Sequence, residues 1–401
     1  MHLRRTLFVL LAGVGFCTPL AQAQVRYTIT DLGSLGQSMI SFATEVNRFG
    51  QVAANADLQH DYQRAFLWSK GKKKVLGTLG GHSSVGFGLN RFQQVAGQSS
   101  LAGDQAEHAF FWDNGTFSDL GTFGGVNSFA FGLNDSGQVS GYAETPDTDP
   151  NTGWPVTHAF LWESGTLSDL GALGGNNSQA WAIDQSGRVT GNADTTTMPD
   201  PTYGVAPFHA FVYQNGTMSD LGSLLGGQFS AGYAIGGGGA VAGVADLPGD
   251  TEGHSFLWVN GKTQDLGVLP GETISYIIAI NNKRQMVGIS GFADPSAPPA
   301  EGLADCPCSA VIVQNGKMTD LNLLIPRRSG WDLYLATSIN DAGQIVGQGQ
   351  YQGHFRAYLL TPVKGSNSDG ARTASIAGRK ASHSGWGLKV RHSATGIEIL
   401  Q

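Results

Sequence analysis

Four histidines recur with a fixed partner. His108, His158, His209 and His254 each stand 11 residues before an aspartate, respectively Asp119, Asp169, Asp220 and Asp265. Imidazole and carboxylate at a repeated spacing could orient a general base, as in a Ser-His-Asp triad, or gather ligands around a metal ion. Both readings fail on multiplicity. Similar copies cannot each be an active site, and equivalent positions on separate sheets cannot all approach one ion to ~2 Å. A hairpin turning at Asn114-Gly115 sets Phe110 opposite Asp119. His108 then lies diagonal to Asp119 on the same face, within hydrogen-bonding reach. The pairs are therefore expected to be framework, one buried His–Asp clamp per repeat. The first repeat changes both partners together, to Arg64 and Val75, and the sixth sets Ser309 against Asp320. The last repeat has Arg356 in the histidine slot. Its aspartate would be Asp31, from the other end of the chain, in an ion pair at ~4 Å.

The elements that must position these pairs form a longer repeat. Asp-Leu-Gly begins at residues 31, 119, 169, 220 and 265, with degraded copies at Val75 and Asp320, giving steps of 44, 44, 50, 51, 45 and 55 residues. A period of this length means one supersecondary unit per repeat, which buries its apolar face only against its neighbours. Each unit reads as four short strands. The first follows Ser-x-small-aromatic-small-aliphatic-Asn, as from Ser128 to Asn134. Alternation along a strand gives it one bulky face and one thin face, so that sheets can pack on both sides. A turn at Gly137 leads to the second strand, a longer loop to the third at His158-Ala159-Phe160, and a hairpin at Gly165 to the fourth at Asp169. Glycine at 58 of 401 residues and only 14% charged residues fit tight turns between strands rather than helices.

The ends argue for closure. Residues 27–33 read as a fourth strand with no third before it, and 355–360 as a third strand with no fourth after it. Joining them removes two exposed edges. The expected fold is all-β, a seven-bladed β-propeller with four-stranded antiparallel blades, closed by the N-terminal strand pairing with the last repeat.

His-Ala-Phe at 108–110, 158–160 and 209–211, His-Ser-Phe at 254–256, and Asp-Leu-Gly-x-Leu-Gly-Gly together resemble the HAF-family extracellular repeat over roughly residues 25–362. Repeats one, six and seven depart from it at the histidine slot. The resemblance implies an exported bacterial repeat protein. That family carries no established activity, so it implies no catalytic residues.

Residues 1–23 read as an export signal. His2, Arg4 and Arg5 precede an apolar run from Leu7 to Phe16 that is too short to span a bilayer, and Ala21-Gln22-Ala23 offers small residues for cleavage. The mature chain would be secreted, extracellular or periplasmic, or held at the cell surface. Residues 24–362 would be the propeller. Residues 363–401 are rich in Ser, Gly and Ala, with six bases against two acids, and are expected to be a disordered basic tail. Cys306 and Cys308 are expected to be incidental loop thiols, since a bridge across one residue is strained and two thiols make a poor metal site.

Where recurrence means framework, function belongs to the parts that differ. The loops between second and third strands, at 55–63, 99–107, 143–157, 193–208, 245–253 and 291–307, hold 15 acids and no Lys or Arg. The hairpins of the opposite face carry Arg48, Lys70, Arg91, Lys262 and Arg284 among others. Such a field attracts cations or basic partners and repels nucleic acid. The candidate ligand-binding residues are Tyr62, Asp104, Trp154, Asp194, Tyr203, Asp246 and Asp250. Asp147, Asp149 and Asn151 take positions one, three and five of a calcium loop. Its glycine comes one place late and His158 stands where the bidentate Glu belongs, so a Ca²⁺ site there would be weak, and no other cofactor is expected. Glu45 fills a slot that is Gly, Ala or Ser in the other six repeats. It is the one, weak, candidate for a catalytic acid.

The resulting reading is a monomeric, non-catalytic binding module. It would engage a glycan or a basic protein through acidic, aromatic-bearing loops on one face, with no nucleic-acid partner and no transmembrane segment. A secreted carbohydrate-active enzyme, hydrolase or lyase, is the first alternative, and a cell-envelope scaffold the second.

Overall fold

A computed structural model describes residues 26–36, 39–58, 62–249, 252–292 and 308–363, with two further strands at Lys389–Ser393 and Gly396–Leu400. Seven four-stranded antiparallel sheets follow one another along the chain. Blade I comprises Ser41–Val46, Val52–Asp57, Gln63–Ser69 and Lys72–Val75, in that spatial order. Blades II to VI repeat the meander, beginning with Gly80–Leu89, Ser128–Leu133, Ser178–Ile183, Ser230–Gly236 and Ile274–Ile280. Blade VII takes Trp331–Ile339, Ile345–Tyr351 and His354–Pro362 from the end of the repeat region, and Tyr27–Asp31 from its start.

That last pairing runs from Tyr27 opposite Pro362 to Asp31 opposite Tyr358. Arg356 grips Asp31 with two donors, Nη2 to Oδ2 at 3.0 Å and Nε to Oδ1 at 3.3 Å. The chain therefore forms a closed seven-bladed β-propeller. The two strands at 389–393 and 396–400 pair antiparallel with each other, and the rest of 364–401 lies outside the described residues. Cys308 is disulfide-bonded, not a free thiol, and its partner lies outside the described residues.

Packing follows the thin-face, bulky-face rule. Phe160, Phe211 and Phe256 of the third strands are fully buried, as are Ala159, Ala210 and Ser255 just before them. Ala109 of blade II packs in one cluster with Val139 and Phe160 of blade III, Ala159 with Val189 and Phe211 of blade IV, and Ala210 with Val241 and Phe256 of blade V. Each alanine leaves the room that the next blade's phenylalanine fills. Burial of one such ring is worth roughly 1.5–3 kcal/mol.

The marker residues form one hydrogen-bonded relay. In blade II, His108 Nδ1 lies 2.8 Å from Asp119 Oδ1, which accepts the Gly121 amide at 2.8 Å. The Gly121 carbonyl takes the Ser128 hydroxyl at 2.6 Å, and Ser128 Oγ accepts the Ala109 amide at 2.9 Å. Ser128 opens the next blade, so the relay ties neighbours together. Ser178 and Ser230 repeat it. The His–Asp pairs are not buried as expected. The fourth strand is the outermost of each sheet, and the Asp119, Asp169, Asp220 and Asp265 side chains are 42–44% exposed.

Asparagines do similar work at the turn after the first strand. Asn340 Nδ2 donates to the Asn47 carbonyl at 2.9 Å, Asn47 to Asn90, Asn90 to Asn134, and Asn134 to Asp184. Each asparagine also accepts two amides of its own turn, as Asn134 does from Ser136 and Gln138. In blade IV the amide is replaced by Asp184, which binds Arg188 at 2.6 Å, and Arg188 Nη1 reaches the Gly238 carbonyl of blade V at 3.3 Å.

Candidate functional site

The first strands carry a shared irregularity. In every blade the register with the second strand slips by one residue: between Ala43 and Glu45, Gly86 and Gly88, Ala130 and Gly132, Ala180 and Ala182, Gly232 and Ala234, Ile277 and Ala279, and Ala336 and Ser338. A bulge leaves its extra residue outside the ladder and bends the strand. Strict alternation is thereby broken. The extra residue and the one after it both line a central cavity of about 580 Å³.

The extra residues differ round the ring. Blades II to V supply Phe87, Phe131, Trp181 and Tyr233, blade VI supplies Ile278, and blades VII and I supply Thr337 and Thr44. The four rings make a continuous arc, with centroids 4.8 Å apart for Phe87 and Phe131, 4.7 Å for Phe131 and Trp181, and 5.7 Å for Trp181 and Tyr233. Trp181 is fixed by its indole N–H, which donates to Asn192 Oδ1 at 2.6 Å. The two threonines turn their hydroxyls to the wall: Thr44 donates to the Gly86 carbonyl at 2.7 Å and Thr337 to the Ala43 carbonyl at 2.8 Å.

In the following slot stands Glu45, among Gly88, Gly132, Ala182, Ala234, Ala279 and Ser338. Small residues there leave the lumen open, and Glu45 alone projects a charge. Its Oε1 accepts the Ser338 hydroxyl at 2.5 Å and the Val46 amide at 3.2 Å. Burial pushes the Glu45 carboxyl up to about 7, with those two hydrogen bonds pulling against it. A second carboxylate, Glu107, lines the same cavity and accepts Gln98 Nε2 at 3.1 Å. Burial raises it too, helped by the charge of Asp104. No Lys, Arg or His is among the described residues of the wall.

Of the seven loop residues proposed from sequence, six are described, and among these Tyr62 and Asp104 meet at His82. Tyr62 stacks on His82 at 4.7 Å, and the His82 imidazole pairs with Asp104, whose Oδ1 also accepts the His82 amide at 2.7 Å. The His82 amide and ring hold the Asp104 carboxyl below the ordinary range. Asp194 accepts the Asn177 amide and side chain at 3.0 and 2.9 Å. Burial drives Asp194 up to about 7 in spite of them. Glu144 receives the Val126 and Asn127 amides in the same manner. These three acids brace the entry into the first strands of blades II, III and IV. Trp154 is 60% exposed on its loop, whereas Tyr203 packs edge-on against Phe229 at 5.5 Å. Asp246 ends the strand Ala240–Asp246, its main chain bonded to Gly227 and Phe229. Asp250 lies outside the described residues.

The calcium-loop residues are likewise engaged. Asp149 Oδ1 accepts the Asn151 amide at 2.8 Å and its Oδ2 the Asn177 side chain at 3.2 Å, while Asn151 Nδ2 donates to the Thr197 carbonyl at 2.8 Å. Burial works to raise Asp149, but its hydrogen bonds outweigh that and hold it below the usual range. Asp147 has its amide on Thr145 Oγ1 at 3.2 Å. Among the described residues no group of three or more His, Cys, Asp or Glu could hold a metal ion.

No family model matches the chain, and no curated protein matches it. Solved structures with a similar course include the β-propeller domain of the Trilobed protease from Pyrococcus furiosus, at 6% identity and a TM-score of 0.47, covering 82% of this chain and 95% of that one. Another is a gluconolactonase from Xanthomonas campestris, at 10% identity and a TM-score of 0.37, covering 84% and 89%. A third is an acylaminoacyl peptidase from Pyrococcus horikoshii, at 12% identity and a TM-score of 0.43, covering 77% and 50%. At these values the likeness extends to the propeller alone. Among the described residues no helix is long and apolar enough to cross a membrane.

The cavity was partly visible in sequence. Glu45 stood out by its slot, but Glu107, Gln98 and Ser338 did not, because their convergence depends on the bulge and on neighbouring blades. The usable signal was the residue before that slot, aromatic in four consecutive repeats.

Proposed function

We propose that the protein is an exported binding protein that holds a small ligand in the central cavity, reached from the face that bears the acidic second-to-third-strand loops. The observation that carries this reading is the pairing of an aromatic arc with Glu45 across a lumen of about 580 Å³. Sites for small molecules are of this size, mostly apolar, with few polar groups to fix orientation. The signal-like residues 1–23 and the HAF-type motifs support export. The rim loops, with Trp154 exposed, would serve entry rather than form the site.

A screen of small molecules by thermal shift tests this. A ligand that binds only the folded state raises the melting temperature. The shift should vanish in Ala279→Trp, where an indole fills the lumen. Equal shifts in both proteins would place binding elsewhere, and silence across a broad screen would favour the envelope scaffold.

The alternative of a carbohydrate-active enzyme draws on one observation, a buried Glu45 whose carboxyl titrates near 7, as a general acid requires. Turnover of a glycan or glycoside that is lost in Glu45→Gln would support it.

A further inference from the structure

The wall of the cavity has an electrostatic asymmetry that a neutral ligand leaves uncorrected. Two carboxylates, Glu45 and Glu107, face the lumen, and no cationic side chain among the described residues answers either of them. Removing a carboxylate from water without a counter-charge is unfavourable. Phe87, Phe131, Trp181 and Tyr233 share the lumen with Glu45, running from the neighbouring blade II round to blade V, and aromatic faces present negative potential to whatever occupies the space beside them. The hydroxyls of Thr44 and Thr337 are committed to main-chain carbonyls, that of Ser338 to Glu45 and the Gln98 amide to Glu107, so each of these donors already holds a partner. Acidic loops on one face add the same sign of field along the approach.

We infer that the ligand is a small organic cation, an alkylated ammonium free of phosphate, seated between the aromatic arc and the Glu45 carboxylate. This inference rests on the central cavity being the binding site. The cation supplies the charge that the wall lacks, and its apolar substituents meet the rings. A phosphate on the same molecule would be carried toward Glu107 and the acidic mouth, so a phosphocholine head group is disfavoured. The titratable groups sharing the space are Glu107, Tyr142 and Tyr233; Ser338 from blade VII and Val85 and Phe87 from blade II carry no charge.

Calorimetric titration at pH 8 with choline and benzyltrimethylammonium, against 3,3-dimethylbutanol as the neutral isostere of choline and against glycerophosphocholine, tests the inference. The cations should bind at least about tenfold more tightly than the neutral isostere, as a desolvated cation over aromatic faces does. Glu45→Gln should reduce that preference to about threefold or less while keeping the cooperative melt, and Trp181→Leu should weaken the cations more than the isostere. Equal binding of cation and isostere would overturn the cation assignment yet leave the cavity as a binding site. No binding of any probe, with neutral ligands found in the thermal-shift screen, would overturn it as well. Silence in both experiments would remove the cavity reading itself. Glycerophosphocholine binding as tightly as choline would overturn the exclusion of phosphate. A preference unchanged in Glu45→Gln but lost in Glu107→Gln would overturn the role given to Glu45.

Discussion

Ser338 Oγ donates to Glu45 Oε1 at 2.5 Å, joining the seventh blade to the first inside the central cavity. The bond sits where the ring closes, on the carboxyl that burial has raised from 4.5 to about 7. In the unfolded chain Glu45 loses its proton near the lower value, and in the folded chain near the higher one. Between the two the folded state holds the extra proton, so stability falls as pH rises through this window and levels off above about 7. At 1.36 kcal/mol per unit the full effect is on the order of 3 kcal/mol. Asp194, also raised to about 7, acts in the same direction, so the informative quantity is the difference between two proteins. Denaturant unfolding should show Glu45→Gln gaining roughly 2–3 kcal/mol on the parent between pH 5 and pH 8. A difference independent of pH would contradict the burial of Glu45 as a charge.

Ring closure makes a separate prediction. Arg356 and Asp31 face each other at 3.0 Å, with side chains 13% and 30% exposed. In urea unfolding, Arg356→Ala should cost about 1 kcal/mol, as paired charges near a surface do. Asp31→Ala made on top of it should add little beyond the loss of its bond to the Gly33 amide. Fully additive losses would mean that the two side chains do not interact in solution.

Within one relay the serine should matter more than the histidine. Ser178 is fully buried and bonded to the Ala159 amide at 2.8 Å and the Gly171 carbonyl at 2.5 Å. Ser178→Ala strands both groups away from water and should cost about 1–3 kcal/mol. His158→Ala opens a half-exposed pair and should cost about 1 kcal/mol or less. Neither should alter ligand binding. The reverse order of stabilities would show that the His–Asp pairs, not the serines, tie the blades.

Most of the fold was legible because each repeat is locally consistent. Asp-Leu-Gly, His-Ala-Phe and the opening serine mark the same strand ends in copy after copy, and the orphaned strands at 27–33 and 355–360 imply closure. What escaped was cooperative geometry. The bulge that brings Trp181 and Ala182 to the lumen together has no residue signature of its own, since its extra position holds Phe, Trp, Tyr, Ile or Thr. The hydrogen-bond partners of Asp104 and Asp194 were hidden for a related reason. An acid on a variable loop looks available, yet here each accepts main-chain amides of a neighbouring turn, and only three-dimensional proximity reveals that.

Asn340 offers a further check on closure. It is buried, bonded to the Asn47 carbonyl at 2.9 Å and to two amides of its own turn. Asn340→Ala should lower stability by about 1–3 kcal/mol, because three main-chain groups lose their partner. Hydrogen exchange should show the added opening at the seam between blades VII and I. Uniform loosening of all seven blades would argue against a local seam.

The most direct test of a cavity built around Glu45 is the proton count on binding. Calorimetric titration of benzyltrimethylammonium at pH 7 in Tris and in phosphate gives the number of protons released from the difference in apparent enthalpy. A cation beside Glu45 must drive off the proton it still holds, so the parent protein should release about half a proton and Glu45→Gln none. Identical enthalpies in the two buffers for the parent protein, with binding observed, would contradict the account.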